Sequence, residues 1–380
     1  MPVTFATIKP MSFLYLLVTL LLAGCITNPI SYEKAPPAIR HDLTEYPVFN
    51  DQVTGIAVSR EGRIFVNFPR WVNDPLYSVA EVLPGGTLRP YPDNNWNRWG
   101  VDERHQPGAH FICVQSVFAN GNRLWILDAA SPGFKGVIPG GAKLVEVNLA
   151  TDRIERIFSF DALAAPHDSY LNDVRIDPRG DFAYITDSGA GAIVLLDLAS
   201  GASRRLLAND PSTKAEPGFI PVINGKELRD EQGHAPQIHA DGLAVDTKGD
   251  YLYYHALTAR TLYRIKTAFL KDRKLTEAQL ATHVERVAET GAVDGMVMGS
   301  DDNLYFTALE ENAIKRYSPQ GKISTIIRDE HLQWPDSMAI TFDNYLYFTA
   351  SQIQRMPRFN HGKDLRVPPY SYFSTWVGLE

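Results

Sequence analysis

The chain has 380 residues, 44% of them apolar and 21% charged, the balance of an ordinary globular protein with a sizeable core. A formal net charge of −7 leaves no basic footprint of the kind that nucleic-acid binding needs, and no nucleic-acid partner is expected. The sequence holds no G-x-S-x-G elbow, no phosphate-binding glycine loop and no C-x-x-C pair, so serine-triad hydrolysis and thiol redox chemistry have no support.

In chain order, residues 1–25 read as a targeting segment. Lys9 supplies a thin positive start, and the apolar run 13–23 is too short to span a bilayer. The run ends in Leu22-Ala23-Gly24-Cys25, a bacterial lipobox in which Cys25 would be acylated and become the mature N-terminus. Ile26 follows, not the Asp of inner-membrane retention, so the expectation is an extracytoplasmic envelope lipoprotein facing the periplasm or held in the outer membrane. The membrane would be touched only through lipidated Cys25. Residues 26–41 read as a tether and 42–380 as one domain, expected to be monomeric. Cys113 is then left alone in an apolar, strand-like run and reads as a buried, inert thiol.

Beyond the tether one pattern recurs: a small or polar pair, an alternating apolar strand, a tight turn and a strongly aromatic or β-branched strand. The six openings are Thr54-Gly55, Gln115-Ser116, Asn172-Asp173, Asp241-Gly242, Asp294-Gly295 and Asp336-Ser337. They are spaced 61, 57, 69, 53 and 42 residues apart, close to a propeller blade plus variable loops. Second strands are expected at 64–68, 124–127, 182–186, 251–254, 304–307 and 345–349, and third strands at 79–82, 144–147, 193–196, 262–265, 314–317 and 353–356. Fourth strands are visible at 154–158, 204–207, 284–287 and 323–327, and residues 43–49 can supply the one the last unit lacks. The fold class is therefore all-β: a six-bladed β-propeller with four-stranded blades, closed by an N-terminal strand. Insertions at 131–142, 208–238 and 267–281 are where binding specificity is expected, the last reading as a short surface helix.

The first strand of each blade lines the channel, so Thr54, Gln115, Asn172, Asp241, Asp294 and Asp336 are expected to ring one mouth. This oxygen-rich set suits Ca2+ or another divalent cation. Alternatively the acids satisfy backbone N–H groups at strand ends, or line a metal-free polar pocket. His239, His255, His167 and Asp168 lie near these positions as candidate proton carriers.

Several segments resemble the yellow/major royal jelly protein family. Asn172-Asp173-Val174-Arg175-Ile176-Asp177 followed by Thr186-Asp187-Ser188-Gly189 is similar to that family's N-D-x-x-x-D and T/S-D-S pattern. Tyr253-Tyr254-His255-Ala256-Leu257, Phe68-Pro69-Arg70-Trp71 and Leu124-Trp125-Ile126-Leu127-Asp128 continue the likeness over residues 50–355. The resemblance implies secreted proteins linked to dopachrome conversion or to the binding of small amines. A more distant likeness to the SMP-30/gluconolactonase group implies a central divalent metal. Asn172, Asp241 and Asp294 would match three of its ligands, while Val53-Thr54 stands where its Glu would be.

Four functions follow as expectations. The mouth binds a small organic ligand, such as a catechol-like amine, among Trp96, Trp99 and Trp334. It tautomerises a dopachrome-like quinone through His239 or Asp294. It hydrolyses a lactone with a metal. Or the ring is a non-catalytic scaffold.

Overall fold

The computed structural model describes residues 1–3 and 43–378. The lipobox with Cys25 and the tether 26–41 lie outside the described residues. Residues 43–378 belong to a compact unit bounded as Pro36–Glu380.

Six four-stranded antiparallel sheets follow one another along the chain. Their innermost strands are Ile56–Val58, Val114–Asn120, Leu171–Ile176, Ala240–Val245, Met296–Met298 and Pro335–Ile340. Each is paired to an aromatic or β-branched second strand, among them Phe182–Asp187 and Tyr251–Ala256, the residue types that pack best on a pleated, buried surface. The strands are apolar on both faces because each blade is covered on both sides by its neighbours. Every neighbouring pair of blades shares an apolar cluster. Leu127 and Trp125 meet Val174 and Ile185 between the second and third blades. Phe65 meets Leu124 and Ile126 between the first and second, and Tyr184 meets Leu252 and Tyr254 between the third and fourth.

The ring closes where Thr44–Phe49 pairs as the outermost strand with Tyr370–Trp376 of the last blade. This is the expected closure, and it joins the two ends of the domain across one sheet. Phe49 then packs among Phe68, Tyr370 and Tyr372 in the cluster between the last and first blades.

Two strand assignments differ from expectation. Residues 353–356 do not form the last blade's third strand: Ile353–Arg355 is a 3-10 turn, and the strand is Tyr370–Trp376. The intervening 351–369 is an insertion whose apolar residues face other loops. The first blade also has a fourth strand, Leu88–Pro90, too short and too exposed to show an alternating pattern. The 267–281 insertion forms two short helices, Thr267–Lys271 and Glu277–Ala281, which bury Leu270 and Leu280 against the third and fourth blades.

Neighbouring blades come closest at the channel. A Cβ on Gly242 would overlap the Asp294 carbonyl of the next blade, and one on Gly295 the Asp336 carbonyl. These contacts are with backbone, which cannot swing aside. Gly295→Ala is therefore expected to lower stability by about 1–3 kcal/mol, the usual cost of overpacking, read as a shifted urea midpoint with an unchanged slope; an unshifted midpoint would contradict this packing.

Candidate functional site

Four of the six openings share one backbone device. In the second, third, fourth and sixth blades the pairing register between first and second strand shifts at the opening pair, between Val114/Ser116, Leu171/Val174, Ala240/Leu243 and Pro335/Met338. Such a bulge turns side chains off the plane of the sheet. Gln115, Asn172, Asp241 and Asp336 are thereby directed to the channel mouth, and Asp294 arrives just ahead of its strand, with its N–H held by the Thr307 hydroxyl at 2.9 Å. Gln115, Asn172, Asp241, Asp294 and Asp336 all line one cavity of about 160 Å³.

Thr54, the sixth expected member, does not line it. Its hydroxyl accepts a hydrogen bond from Asn67 Nδ2 at 2.9 Å, and Asn67 also donates to the Val114 carbonyl of the next blade. Thr54 ties blades together instead.

The cavity's walls come from loops. Trp71, Phe134, Tyr170, Trp334 and Phe359 present rings to it, with Ile238, Ile353 and Met356 between them. Trp71 Nε1 donates to the Tyr170 hydroxyl, which donates to Gln115 Oε1 at 3.0 Å. A loop cluster of Phe219, Leu257, Leu309, Trp334, Ile353 and Met356 roofs this end of the channel. Of the three tryptophans expected at the mouth only Trp334 is there. Trp96 packs on Phe111 with ring centroids 5.1 Å apart, and Trp99 against the cluster between the second and third blades.

The floor is acidic. Burial holds the Asp241 carboxyl well above its usual range, and Asp294, Asp173 and Asp336 add repulsion. Asp294 is pushed up to about 7, mainly by burial, although it accepts a hydrogen bond from Trp334 Nε1 at 2.7 Å. Asp241 and Asp294 lie close enough that each perturbs the other's ionisation. Asp336 is raised by burial and by Asp294, with the Ser351 hydroxyl donating to it at 2.7 Å. Deeper in the channel Asp173 accepts from Ser116 and pairs with Arg175 at 3.5 Å, and Arg175 reaches across to the Met296 carbonyl of the fifth blade. That cation serves Asp173. The three aspartates at the mouth have no basic partner among the described residues. Asn172, only 5% exposed, makes no side-chain hydrogen bond there either.

The histidines lie elsewhere. His239 Nδ1 accepts the Ala215 N–H at 2.9 Å, its pKa is lowered by burial and by Lys214, and it is not among the residues lining the cavity. Its expected catalytic place is thus not the one it occupies. His255 is fully buried, with Nδ1 against the Ala256 carbonyl and Nε2 against the Thr290 hydroxyl; burial lowers it to about 4, so it is neutral. His167 and Asp168 line a separate surface groove with Lys135. Cys113 is free and buried, and burial pushes its thiol up to about 12.

A divalent cation does not fit this set well. Val53 is fully buried, and Thr54 is engaged with Asn67, so the position of the lactonase glutamate offers no ligand. Among the described residues no three His, Cys, Asp or Glu side chains are grouped to hold a metal ion.

The model of the major royal jelly protein family matches residues 117–366. The chain belongs to that family. Over 270 residues it is 23% identical to major royal jelly protein 5 of Apis mellifera, a match that covers 67% of this chain and 42% of the honeybee protein, so it spans less than half of that relative's length. Solved propellers share the fold at lower identity. A luciferin-regenerating enzyme superposes with a TM-score of 0.53 at 12% identity, covering 90% of this chain and 96% of the other. A gluconolactonase from Xanthomonas campestris gives 0.51 at 11%, covering 90% and 98%. At such identities the likeness is one of architecture.

The acidic floor sets a pH dependence. A carboxyl whose folded pKa lies above its ordinary 3.8 holds its proton when the unfolded chain has lost it, so it costs stability progressively as pH rises from about 4 to its folded pKa. Asp241→Asn keeps the shape and removes the ionisation. It is expected to be more stable than the wild type at pH 8, with the difference shrinking toward pH 4. Urea titrations at the two pH values check this; a pH-independent difference would refute it.

Proposed function

We propose that the cavity binds a small aromatic molecule carrying a protonated amine. The observation that carries this reading is the pairing of aromatic walls with three buried aspartates that lack a basic partner. A volume near 160 Å³ suits a single ring, since cavities of about 150 Å³ accept benzene. Uncompensated carboxylates are too costly to bury, so the empty floor holds protons. A cationic ligand replaces them, with its ring against Trp71 and Trp334 in the geometry that favours cation and π contacts. Calorimetry with catecholamines and indoleamines tests it. Binding at pH 7 is expected to release protons, so the measured heat changes with the ionisation heat of the buffer, and Asp294→Asn weakens binding at least tenfold. An absence of heat from every such amine would end this reading.

A second reading, tautomerisation of a dopachrome-like quinone, draws on Asp294, because a carboxyl near 7 both takes and returns a proton at neutral pH. The carboxylate would accept the proton from a ring carbon, and the acid so formed would return one to the quinone oxygen, leaving the enzyme unchanged. Faster loss of dopachrome absorbance, rising with pH through about 7 and lost in Asp294→Asn, is the expected result. Unchanged decay in the protein's presence counts against it. Metal-dependent lactone hydrolysis is the weaker alternative for want of ligands. A scaffold role leaves the unpartnered polar floor without a purpose.

For placement in the cell we propose acylation at Cys25 and an envelope location. Cys25→Ala is expected to move the protein from the membrane fraction to the soluble one, and a variant still sedimenting with membranes would disprove it.

A further inference from the structure

The cavity has a second polar element that the amine does not use. Arg358 lies on the turn Pro357–Phe359 within the 351–369 insertion and lines the same cavity as the aspartates. Its guanidinium rests over the rings of Phe134 and Phe359, 4.7 and 4.8 Å from their centroids. Elsewhere in the fold, arginines near the surface of the blades meet acids: Arg63 meets Glu81, Arg205 meets Asp187 and Arg264 meets Glu285. Arg358 meets none. Among the described residues it has no ion pair and no hydrogen-bond acceptor, although burial is deep enough to lower its pKa.

No ion pair joins Arg358 to Asp241, Asp294 or Asp336, although all four line one cavity. The aspartates act chiefly on one another. The cavity therefore combines an acidic floor with an unpaired cation from the insertion loop that rests on aromatic rings. A guanidinium that rests over two rings and meets no acceptor keeps its N–H fork free. That is the arrangement in which arginine binds a carboxylate through two parallel hydrogen bonds, where lysine offers only a point charge.

We propose that Arg358 is a specificity-determining residue that receives a carboxylate of the ligand, so that the ligand class is an aromatic carboxylate whose amine lies at the opposite end of the ring. This rests on the amine-binding reading and narrows it. Stacking on Phe134 and Phe359 means that the arginine is already oriented before the ligand arrives, so little side-chain freedom is lost on binding.

The test compares two probes that differ only in the carboxylate, benzylamine and 4-(aminomethyl)benzoate, by calorimetry on the whole protein. The wild type is expected to bind 4-(aminomethyl)benzoate at least tenfold more tightly than benzylamine. Arg358→Gln is expected to erase that preference and leave benzylamine affinity within twofold. Arg358→Lys keeps the charge but not the fork, and is expected to restore only part of the preference. Thermal melts confirm that the variants are folded; if Arg358→Gln is not, the lysine variant alone decides, by losing most of the preference or keeping all of it. Benzylamine binding with no gain from the carboxylate, or an equal loss of both probes in the variants, overturns the assignment of Arg358 while leaving the amine site standing. If neither probe binds the wild type, the amine-binding reading fails and this one with it.

Discussion

Six strands converging on one axis must pass each other backbone against backbone, and much of this protein follows from that crowding. Where the carbonyl of one blade lies against the Cα of the next, only glycine fits, as at Gly242 and Gly295. Where there is slightly more room, a hydroxyl bridges the gap: Thr186 donates to the Asp241 carbonyl and Thr349 to that of Thr54. In five of the six pairs the first residue then turns its side chain into the cavity, Thr54 being the exception. The small-or-polar pair that opens every repeat is thus a packing solution first. The ring of functional groups at the mouth is its consequence.

The same fold shows how it treats buried acids when they are structural. Asp128 accepts the N–H groups of Ile112, Cys113 and Ala130, and pairs with Lys143 at 2.8 Å, both side chains fully buried. Asp187 accepts Tyr170 N–H and Ser169 hydroxyl and pairs with Arg205. Each ends a second strand and fastens the segment that leads into its own blade. Against that standard the axial aspartates stand out, because Asp241 and Asp336 gather few donors and no cation. Buried charge is expensive unless paired. A fold that pairs Asp128 and Asp187 with cations leaves these three without one, beside an Asn172 that makes no side-chain hydrogen bond.

How much was legible in the sequence divides along the same line. The second strands are plain because strands covered largely on both faces are rich in aromatic and β-branched residues, as in 182–187 and 345–350. The axial set was legible because each blade repeats its opening at a similar place. What lies in insertions was not. The segment 353–356, with Ile353 and Met356 at its ends, reads as a strand but lines the cavity as a turn, its apolar residues packed with Trp334 and Leu257 in a loop cluster. Phe134, Ile238, Arg358 and Phe359 share no spacing, and only the ring brings them together. Tryptophan content alone misled at Trp96 and Trp99, which fill gaps between blades.

This division bears on what membership of the family can say. Residues that carry the likeness, among them Asp128, Asp177, Asp187 and His255, are engaged in capping turns, pairing with buried cations and satisfying backbone groups. They secure the scaffold. Of the residues that touch the cavity, the axial aspartates come from the blades, whereas the arginine and most of the rings come from loops between them. Such a loop is free to change without disturbing the crowded axis, because it packs on the roof and not between blades. On the proposed reading the acidic floor would set the kind of chemistry, and the loop bearing Arg358 and Phe359 would set which molecule is presented to it.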